Sequence, residues 1–477
     1  MRRPLLVALL LLLALGSAAS PVSAARPLRT AVFDPLHFLD QRAQQAAFDR
    51  SRSAGATMVR LFLTWKSVAP TPIPAGLDPA DPNNPHYNWE WFDRQVRLAS
   101  ARGLEPYANV MYAPAWAEGA GNDGRGTFRP DPGAFAAFGR AAAKRYSGSF
   151  APPGQPPLPR IRYWLPWGEP NRDYHLVPQY EGGRIVSALQ YRALVNGFAR
   201  AVKGVNPVNK VIAGSLAPLA RRGKPAPLAF VRELFCLSPS LRPTCDLRGD
   251  PLIFDIWSHH PYTLGGPTHR AGGDNVSLGD LPRMRRAVRA AIRAGHVRSN
   301  GPVQFWATEL SWDTRPPDPR GVPARLHARW VAEALYRLWQ NGFTVVTWWR
   351  IIDDPLPQGR YQSGLYTVGG SPKLSLTAFR FPVVAFRRAR GVYVWGRTPT
   401  SRGGRVAVEI RGAGGSWRRL GVARANAHGV FARTFRTRAR WGFVRARFRG
   451  EQSIPFSLAR IPNRVVDPMG CGGGTAC

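Results

Sequence analysis

Short apolar runs alternate with longer stretches of helical periodicity between about residues 28 and 385. Runs rich in Val, Ile, Phe and Trp predict buried strands, and apolar residues three or four positions apart predict amphipathic helices. The predicted strands cover residues 30–33, 58–63, 104–110, 161–165, 211–215, 254–258, 303–308 and 344–348.

The segments between these runs predict the helices that join the strands. Helical periodicity is clearest over residues 91–101, 132–146, 187–205, 281–294 and 323–340. Strands that alternate with helices in this way predict an α/β fold, a (β/α)8 TIM barrel over residues 25–385. An open doubly wound sheet is the main alternative. It would need a Gly-rich phosphate-binding turn after an early strand, and the sequence has none.

The pattern changes at about Phe386. Val406, Val408 and Ile410 alternate with polar residues, and Gly-rich turns separate such runs. Period-two alternation on this scale predicts a small antiparallel, immunoglobulin-like β-sandwich over residues 386–460. A Gly-rich tail that contains two cysteines, residues 461–477, follows this domain.

Residues 1–24 have the pattern of a cleaved secretory signal, with two arginines, an apolar run and then small residues. The apolar run is too short to span a bilayer. We therefore expect a secreted, extracellular protein, free or attached to a cell wall, with no integral membrane segment in the mature chain. Export favours disulfides, and four cysteines allow three connectivities. The spacing favours Cys236 with Cys245 and Cys471 with Cys477.

The chain is strongly basic, with 66 Lys and Arg against 29 Asp and Glu and a formal net charge of +37. This charge is typical of proteins that bind nucleic acid, membrane surfaces or acidic polymers, but export argues against nucleic acid. Residues 386–477 hold 19 Arg and no Lys. Two hypotheses follow for this domain: a spacer, or a dock for anionic cell-wall polymers or acidic glycans. A general Arg-rich composition explains its charge equally well.

Acidic residues at the ends of the predicted strands are the first candidates for chemistry, because the carboxyl ends of barrel strands meet on one face. Glu169 follows the fourth strand and Glu309 follows the seventh, each after an aromatic run that could stack on a sugar. Glycosidic bond cleavage requires one acid to protonate the leaving oxygen and one carboxylate to attack the anomeric carbon. The pair predicts a glycosidase that acts on a carbohydrate substrate.

Other hydrolytic chemistry has little support in the sequence. There is no Gly-x-Ser-x-Gly elbow, no His-Glu-x-x-His zinc motif and no calcium-binding loop. His259 and His260 are adjacent, and neighbouring strand residues face opposite ways, which disfavours a shared metal. We predict no metal and no cofactor.

The segments around both glutamates resemble those of the clan-A glycoside hydrolases, retaining glycosidases on eightfold barrels, with families five and thirty-nine the most similar. Trp-Gly-Glu-Pro-Asn at 167–171 is similar to the strand-four motif of the clan, and Ala-Thr-Glu at 307–309 is similar to its strand-seven motif. The resemblance covers the barrel only. It implies a double displacement on a poly- or oligosaccharide, with Glu169 as acid/base and Glu309 as nucleophile. Glu169 would then be protonated near neutral pH and Glu309 ionised.

The resemblance extends to residues that would surround the two glutamates. Arg60 on the second strand matches the arginine that orients the nucleophile in these families. Tyr262 matches the tyrosine that hydrogen-bonds the nucleophile, and His260 matches a histidine that lines the sugar site. All three would therefore bind substrate or position the nucleophile.

Two tryptophans resemble walls of the family's cleft. Trp349 matches the strand-eight tryptophan that forms a platform under the sugar. Trp348 is the alternative in register, because adjacent strand residues point to opposite faces. After the third strand, Trp116 is the expected contact from the segment 112–116.

Gly168 departs from the clan's pattern, which has Asn at this position to hydrogen-bond the sugar 2-hydroxyl. Asn171 is the candidate that would supply this hydrogen bond instead. The departure also leaves a second hypothesis open: a catalytically silent, secreted barrel that binds glycans or associates with a cell wall.

Overall fold

The structure is a computed structural model that describes residues 26–357, 359–412 and 414–459. The predicted signal peptide, the tail at 461–477 and the predicted disulfide between Cys471 and Cys477 lie outside the described residues. Within the described part, a closed parallel barrel is followed by an antiparallel β domain.

Eight parallel strands close the barrel in the described part of the chain. They are β1 (Arg29–Phe33), β2 (Met58–Thr64), β3 (Glu105–Met111), β4 (Tyr163–Pro166), β5 (Lys210–Leu216), β6 (Ile256–His259), β7 (Gln304–Ala307) and β8 (Phe343–Trp349). Their order around the barrel is β1-β8-β7-β6-β5-β4-β3-β2. Each strand begins and ends within two residues of a predicted run. The predicted TIM barrel is confirmed.

Alternation along the strands divides the apolar residues of the barrel between an inner and an outer core. Each strand contributes one residue to a buried inner layer: Ala31, Met58, Tyr107, Leu165, Ile212, Ile256, Trp306 and Val345. This layer fills the barrel interior below the carboxyl ends of the strands. Only inward-facing residues above it can meet a ligand.

Helices cover the outside of the barrel. They are α1 (Pro35–Leu39), α2 (Gln44–Ser53), α3 (Trp65–Val68), α4 (Glu90–Ala101), α5 (Pro132–Arg145), α6 (Val186–Val205), α7 (Pro227–Leu234), α8 (Leu281–Arg293), α9 (Ala324–Gln340) and α10 (Leu374–Arg380). Their apolar faces bury the outward side chains of the strands, as Phe198 of α6 does with Trp164 of β4. Helix α5 begins at Pro132 because the Asp131 side chain accepts a hydrogen bond from the Ala134 N–H at 2.6 Å.

An antiparallel β domain follows α10. Its described strands are β9 (Val383–Arg388), β10 (Gly391–Arg397), β11 (Gly404–Arg411), β12 (Arg418–Ala425), β13 (Val430–Phe435), β14 (Phe443–Phe448), β15 (Glu451–Gln452) and β16 (Phe456–Ser457). Strands β9, β10 and β13 form one sheet, and the other strands of this set form a second. The predicted antiparallel domain is confirmed, and β9 starts just before the predicted change of pattern at Phe386.

The β domain packs against helix α9 through aromatic rings. Trp395 of β10 is fully buried, and its ring lies 5.4 Å from that of Tyr336 and 5.5 Å from that of Trp339. Arg397 of the same strand is also fully buried and donates to the Thr30 hydroxyl of β1 at 3.0 Å. The two domains share one continuous apolar core, so the β domain is not an independent appendage.

Two further predictions concern the covalent and membrane context of the chain. The predicted disulfide between Cys236 and Cys245 is present, and its Cα atoms are 5.6 Å apart. Among the residues that the structure describes, no helix has both the length and the apolar character needed to cross a bilayer.

The shared core predicts unequal effects for two tryptophans of the β domain. We expect Trp395→Ala to lower the free energy of unfolding by about 3–5 kcal/mol, because it leaves a cavity between the domains. Trp441→Ala, at a side chain that is 70% exposed, should cost about 1 kcal/mol or less. Urea unfolding measures both. Equal losses for the two variants would contradict the shared core.

Candidate active site

A cavity of about 390 Å³ opens at the carboxyl ends of the barrel strands. Its volume falls within the usual range of small-molecule sites. Most of the predicted site residues line it: Arg60, Glu169, His260, Tyr262, Glu309 and Trp349. Trp116 and Asn171 are absent from the described lining.

Glu309 lies just after β7, and both of its carboxylate oxygens accept hydrogen bonds. Arg60 Nη1 donates to Oε1 at 2.7 Å, and the Tyr262 hydroxyl donates to Oε2 at 3.1 Å. Burial raises the pKa of Tyr262 well above its ordinary value, so the hydroxyl stays protonated and remains a donor. The positions of Arg60 and Tyr262 agree with the roles that the resemblance implied.

Arg60 is itself held in place by the ends of two other strands. Its Nη2 donates to Asn109 Oδ1 at 2.7 Å, and its Nη1 also donates to the Thr308 carbonyl at 3.0 Å. Asn109 of β3 donates in turn to two carbonyls at the end of β4, those of Leu165 and Trp167. Sequence reasoning missed Asn109. The sequence feature that could have identified it is a single uncharged polar side chain inside an apolar strand.

Glu169 lies on a sharply turned backbone just after β4. Trp167 and Glu169 have φ angles of 68° and 42°, in the left-handed region that residues other than glycine rarely adopt. The Glu169 N–H donates to the Ser215 carbonyl at 3.0 Å, which ties this turn to the end of β5. The turn directs the Glu169 carboxylate into the cavity.

His260 connects Glu169 to β5. Its Nδ1 lies 2.9 Å from Glu169 Oε1, and its Nε2 lies 2.8 Å from the Ser215 hydroxyl. The ring is fully buried. When Glu169 is ionised, the Nδ1–H of His260 donates a hydrogen bond to the carboxylate, and Nε2 accepts one from the Ser215 hydroxyl. The sequence placed His260 in the sugar site. The structure adds a contact with Glu169, the predicted acid/base residue.

The two glutamates lie close together across the cavity. One carboxylate oxygen of each and a ring nitrogen of His260 all lie within 4.8 Å of one another. A divalent cation could bridge such a set. These residues, however, already have partners within the protein, because Arg60 is paired with Glu309 and His260 with Glu169.

The charge state of Glu169 differs from the expectation. Burial opposes its charge, but the hydrogen bond from His260 and the positive charges around it, Arg172 among them, outweigh burial and hold the pKa of Glu169 at about 2. Without a bound ligand Glu169 is therefore ionised at neutral pH. To be protonated before attack, as expected from the sequence, Glu169 must gain a proton when the substrate binds.

Trp116 was predicted to form a wall of the cleft, and the structure corrects this. Its indole N–H donates to the Ala69 carbonyl at 3.0 Å, and its ring packs edge-on against Trp65. The chain turns at Tyr112, whose φ is 65°, and it is Tyr112 that lines the cavity. The Tyr112 hydroxyl lies 2.6 Å from Nδ1 of His175, which also faces Glu169.

Trp349 rather than Trp348 faces the cavity. Trp349 lies edge-on to Phe33 and Tyr361, with centroid distances of 5.0 and 5.6 Å, and all three rings line the cavity wall. Trp348 points outward, where its indole N–H donates to the Ser363 carbonyl at 2.8 Å. The alternation of side chains along β8 therefore decides between the two registers in favour of Trp349.

Asn171 was predicted to replace the missing amide at Gly168, and the structure assigns it a different task. It is fully buried, and its amide bonds to the backbone of Ala217 in both directions, at 2.9 and 3.1 Å. It ties the loop after β4 to the loop after β5. A Cβ at Gly168 would lie 3.5 Å from Arg60 Nη2, so Gly168 leaves room beside the Arg60 guanidinium.

Asp313 is a third carboxyl group in the cavity wall, and sequence reasoning missed it. Burial raises its pKa to about 7, and one of its oxygens accepts from the Gln362 N–H at 2.9 Å. It lines the cavity, as Trp349 and Tyr361 do. A carboxyl that is half ionised near neutral pH can accept hydrogen bonds from sugar hydroxyls or donate one to them.

The low pKa of Glu169 predicts a pH-dependent contribution to stability. Its ordinary value is 4.5 and its value in the fold is about 2. The ionised form therefore stabilises the fold fully above about pH 5, and this contribution is lost as the pH falls toward 2. Between pH 5 and pH 3 we expect the wild type to lose about 2 kcal/mol more unfolding free energy than Glu169→Gln.

Urea unfolding at several pH values measures this difference. Glu90→Gln is the control, because the side chain of Glu90 is 82% exposed and its ion pair with Arg94 contributes little at any pH. Curves for Glu169→Gln that run parallel to those of the wild type would contradict the ionised state of Glu169.

Comparisons with known proteins add evidence on the fold. No protein-family model matches the sequence, and no curated protein matches it. Among solved structures, a family 39 glycoside hydrolase from the gut symbiont Bacteroides cellulosilyticus WH2 is 18% identical. That match covers 87% of this chain and 80% of that chain, with a TM-score of 0.53.

A GH30 endoxylanase from Clostridium papyrosolvens C71 is 12% identical over 87% of this chain and 96% of that chain. Its TM-score of 0.45 is too low to add weight. At these identities the likeness is one of fold. The chain has the architecture of the family 39 enzyme, a parallel barrel followed by an antiparallel β domain, and the fold implied by the clan-A resemblance is confirmed.

Proposed function

We propose that this protein is a secreted retaining glycoside hydrolase that cleaves O-glycosidic bonds in an oligo- or polysaccharide. The observation that carries the proposal is the pair Glu169 and Glu309, which have carboxylate oxygens within 4.8 Å of one another. Retaining glycosidases hold their two carboxyl groups about 5–5.5 Å apart, and inverting ones about 6.5–9.5 Å apart. The fold shared with a family 39 glycoside hydrolase supports the same activity.

In the first half of the reaction, Glu309 attacks the anomeric carbon. Arg60 and Tyr262 hold its two oxygens and fix the plane of the carboxylate. A bond forms between a Glu309 oxygen and the anomeric carbon while the bond to the leaving oxygen breaks. Glu169 gives its proton to that leaving oxygen.

In the second half, Glu169 acts as a base. It takes a proton from water, which attacks the anomeric carbon and releases Glu309. This step needs Glu169 ionised, the form that His260 stabilises through its contact at 2.9 Å. The first step needs Glu169 protonated, so a proton must reach this carboxylate when the substrate binds.

The ionised Glu169 also favours a second candidate function, a secreted barrel that binds glycans without cleaving them. An acid that is deprotonated before the substrate arrives cannot protonate a leaving group unless it gains a proton on binding. The two candidates differ in turnover and not in binding, so a glycoside panel separates them.

We expect two site variants to affect turnover differently. Glu309→Gln should reduce hydrolysis of every glycoside by at least about 10³-fold, because it removes the nucleophile. Glu169→Gln should slow glycosides with poor leaving groups by about 10²–10⁴-fold. For dinitrophenyl glycosides kcat/KM should fall much less, because their leaving group departs without a proton, whereas kcat should still fall because Glu169 is the base of the second half-reaction.

Glu105→Gln is the control for these measurements. Glu105 lies at the amino end of β3, away from the cavity, where it pairs with Arg29, and its variant should keep wild-type rates. Wild-type protein that binds a glycan and hydrolyses no member of the panel would support the silent-barrel candidate. Activity lost to a chelator and restored by a divalent cation would contradict the two-carboxylate mechanism.

We also propose that the protein is exported and that its β domain holds it to an anionic cell-wall polymer or acidic glycan. The pattern of residues 1–24 and the disulfide between Cys236 and Cys245 support export. On strand β12, three arginines are exposed and have no ion-pair partner among the described residues: Arg418, Arg419 and Arg424.

This docking proposal predicts a salt-sensitive, domain-specific retention on an anionic polymer such as a heparin column. Salt elutes the protein because it screens exposed charges. Replacing the three β12 arginines with Glu removes positive charge that binds the polymer, so elution should move to lower salt. Deleting the whole domain is a poor test, because the barrel shares its core. The matched control replaces three exposed arginines of barrel helix α8: Arg286, Arg289 and Arg293. An equal shift for both triple variants would indicate net charge alone and contradict docking.

A further inference from the structure

Arg172 lies in the cavity wall, in the loop after β4, close to Glu169. It is 5% exposed, and its guanidinium has no hydrogen-bond partner among the described residues, with Nε and Nη1 fully buried. Its ion pair with Glu169 spans 4.0 Å from Nε to Oε2, which is longer than a hydrogen bond. The structure therefore contains a buried cation whose donors are unsatisfied.

Another buried arginine of this barrel shows the usual arrangement. Arg145 is 8% exposed, and its Nε and Nη2 donate to the two oxygens of Asp93 at 2.9 and 2.5 Å. Buried charges are normally paired and hydrogen-bonded in this way, because an unpaired buried charge is costly. Arg172 has no such carboxylate at hydrogen-bond distance among the described residues.

Two more cations lie near this loop, and one of them lines the cavity. Arg221 lines the wall, and its guanidinium has neither a hydrogen bond nor an ion pair with any described residue. Lys224, at the other end of the same turn, pairs with Asp173 at 3.0 Å and lies over the Tyr174 ring. Of these two cations, Arg221 is therefore the one that lines the cavity and lacks a carboxylate partner among the described residues.

The contacts of Glu169 show which part of a substrate would meet this wall. Its Oε1 is occupied by His260 at 2.9 Å, whereas its Oε2 accepts one longer bond, from the Tyr174 hydroxyl at 3.3 Å. Oε2 is therefore the oxygen that would protonate the leaving group. Arg172 lines the cavity, and its Nε is 4.0 Å from Oε2. Because Nε and Nη1 are fully buried, Nη2 is the nitrogen that a substituent close to the leaving oxygen would meet.

We propose that Arg172, with Arg221, binds an oxyanion substituent on the leaving group, a carboxylate or a sulfate, so that the substrate class is an acidic glycan. A planar guanidinium matches the paired oxygens of either group. This inference rests on the proposed function, since it defines the leaving-group subsite of that reaction.

A bound oxyanion also has a consequence for the proton on Glu169. The groups that face this carboxylate are His260 of the β6 end, Glu309 of the β7 end, and Arg172, Tyr174 and His175 of the loop after β4. Burial lowers the pKa of His175 to about 4, so this ring is neutral at neutral pH. An anion on Arg172 would offset the nearest permanent positive charge, raise the pKa of Glu169 and favour its acid form. The substrate would thereby help to supply the acid that the first half-reaction needs.

The direct test compares wild-type kcat/KM on matched aryl glycosides that carry the glycone selected in the nitrophenyl panel. One pair is the meta-carboxyphenyl and meta-carbamoylphenyl glycosides, and the other is the meta-sulfophenyl and meta-sulfamoylphenyl glycosides. In each pair the neutral phenol, carbamoyl or sulfamoyl, is the better leaving group because its substituent withdraws electrons more strongly. Intrinsic reactivity therefore favours the neutral glycoside and opposes the expected preference for the anionic one. We expect the anionic member of at least one pair to react about tenfold faster or more. The pair with the larger preference identifies the oxyanion.

Variants assign that preference to Arg172. Arg172→Gln should bring the preference within about twofold of unity, and Arg172→Lys should restore part of it because it keeps the charge. Rates on the neutral member should change much less than rates on the anionic member. Arg222→Gln is the control, since this exposed arginine is adjacent to Arg221 but absent from the described lining of the cavity. If Arg172→Gln fails to fold, the comparison of anionic and neutral glycosides with the wild type still tests whether the subsite prefers an anion.

The outcomes separate this inference from the function on which it rests. Hydrolysis of neutral glycosides with no preference for either anionic partner would overturn the anionic subsite and leave the glycosidase proposal intact. A preference that survives Arg172→Gln unchanged would overturn the role of Arg172. Failure to hydrolyse any nitrophenyl or acidic glycoside would overturn the glycosidase proposal itself.

Discussion

The candidate site depends on one buried cation, the guanidinium of Arg60. It is 2% exposed. It donates hydrogen bonds to the Asn109 side chain of β3, and to the Thr308 carbonyl and the Glu309 carboxylate just after β7. A charge this deeply buried is costly unless it is paired and hydrogen-bonded. Its contacts therefore fix the position of Glu309 relative to the barrel. Tyr262, from the β6 end, orients the second carboxylate oxygen in the same way.

Glu169 stands in a different electrostatic setting from Glu309. It is near His260, Arg172 and His175, and this surplus of donors and positive charge keeps it ionised despite burial. An acid/base residue with such a low pKa needs its surroundings to change when the substrate binds. The unpaired guanidinium of Arg172 is the element that an acidic substrate would change. Substrate charge and acid catalysis are thus linked through one arginine.

The fold and the central pair could be predicted from the sequence, because strand periodicity and local motifs carry that information. Arg60, Tyr262 and Trp349 were implied by the clan-A resemblance, and strand alternation decides between Trp349 and Trp348. Trp116 and Asn171 could not be placed, because they lie in loops beyond left-handed turns at Tyr112 and at Trp167. Arg172 could not be singled out in a chain with 66 Lys and Arg. Whether an arginine is buried without a partner depends on the tertiary structure and cannot be read from the sequence.

The central claim is that Glu309 forms a covalent bond with the sugar across a short gap from Glu169. The most direct measurement is mass spectrometry of the protein after reaction with a 2-deoxy-2-fluoro glycoside bearing a dinitrophenyl leaving group. The account predicts a single glycosyl adduct on the peptide that contains Glu309, and its absence from Glu309→Gln. An adduct on another residue would contradict the account, as would hydrolysis that inverts the anomeric configuration and leaves no adduct.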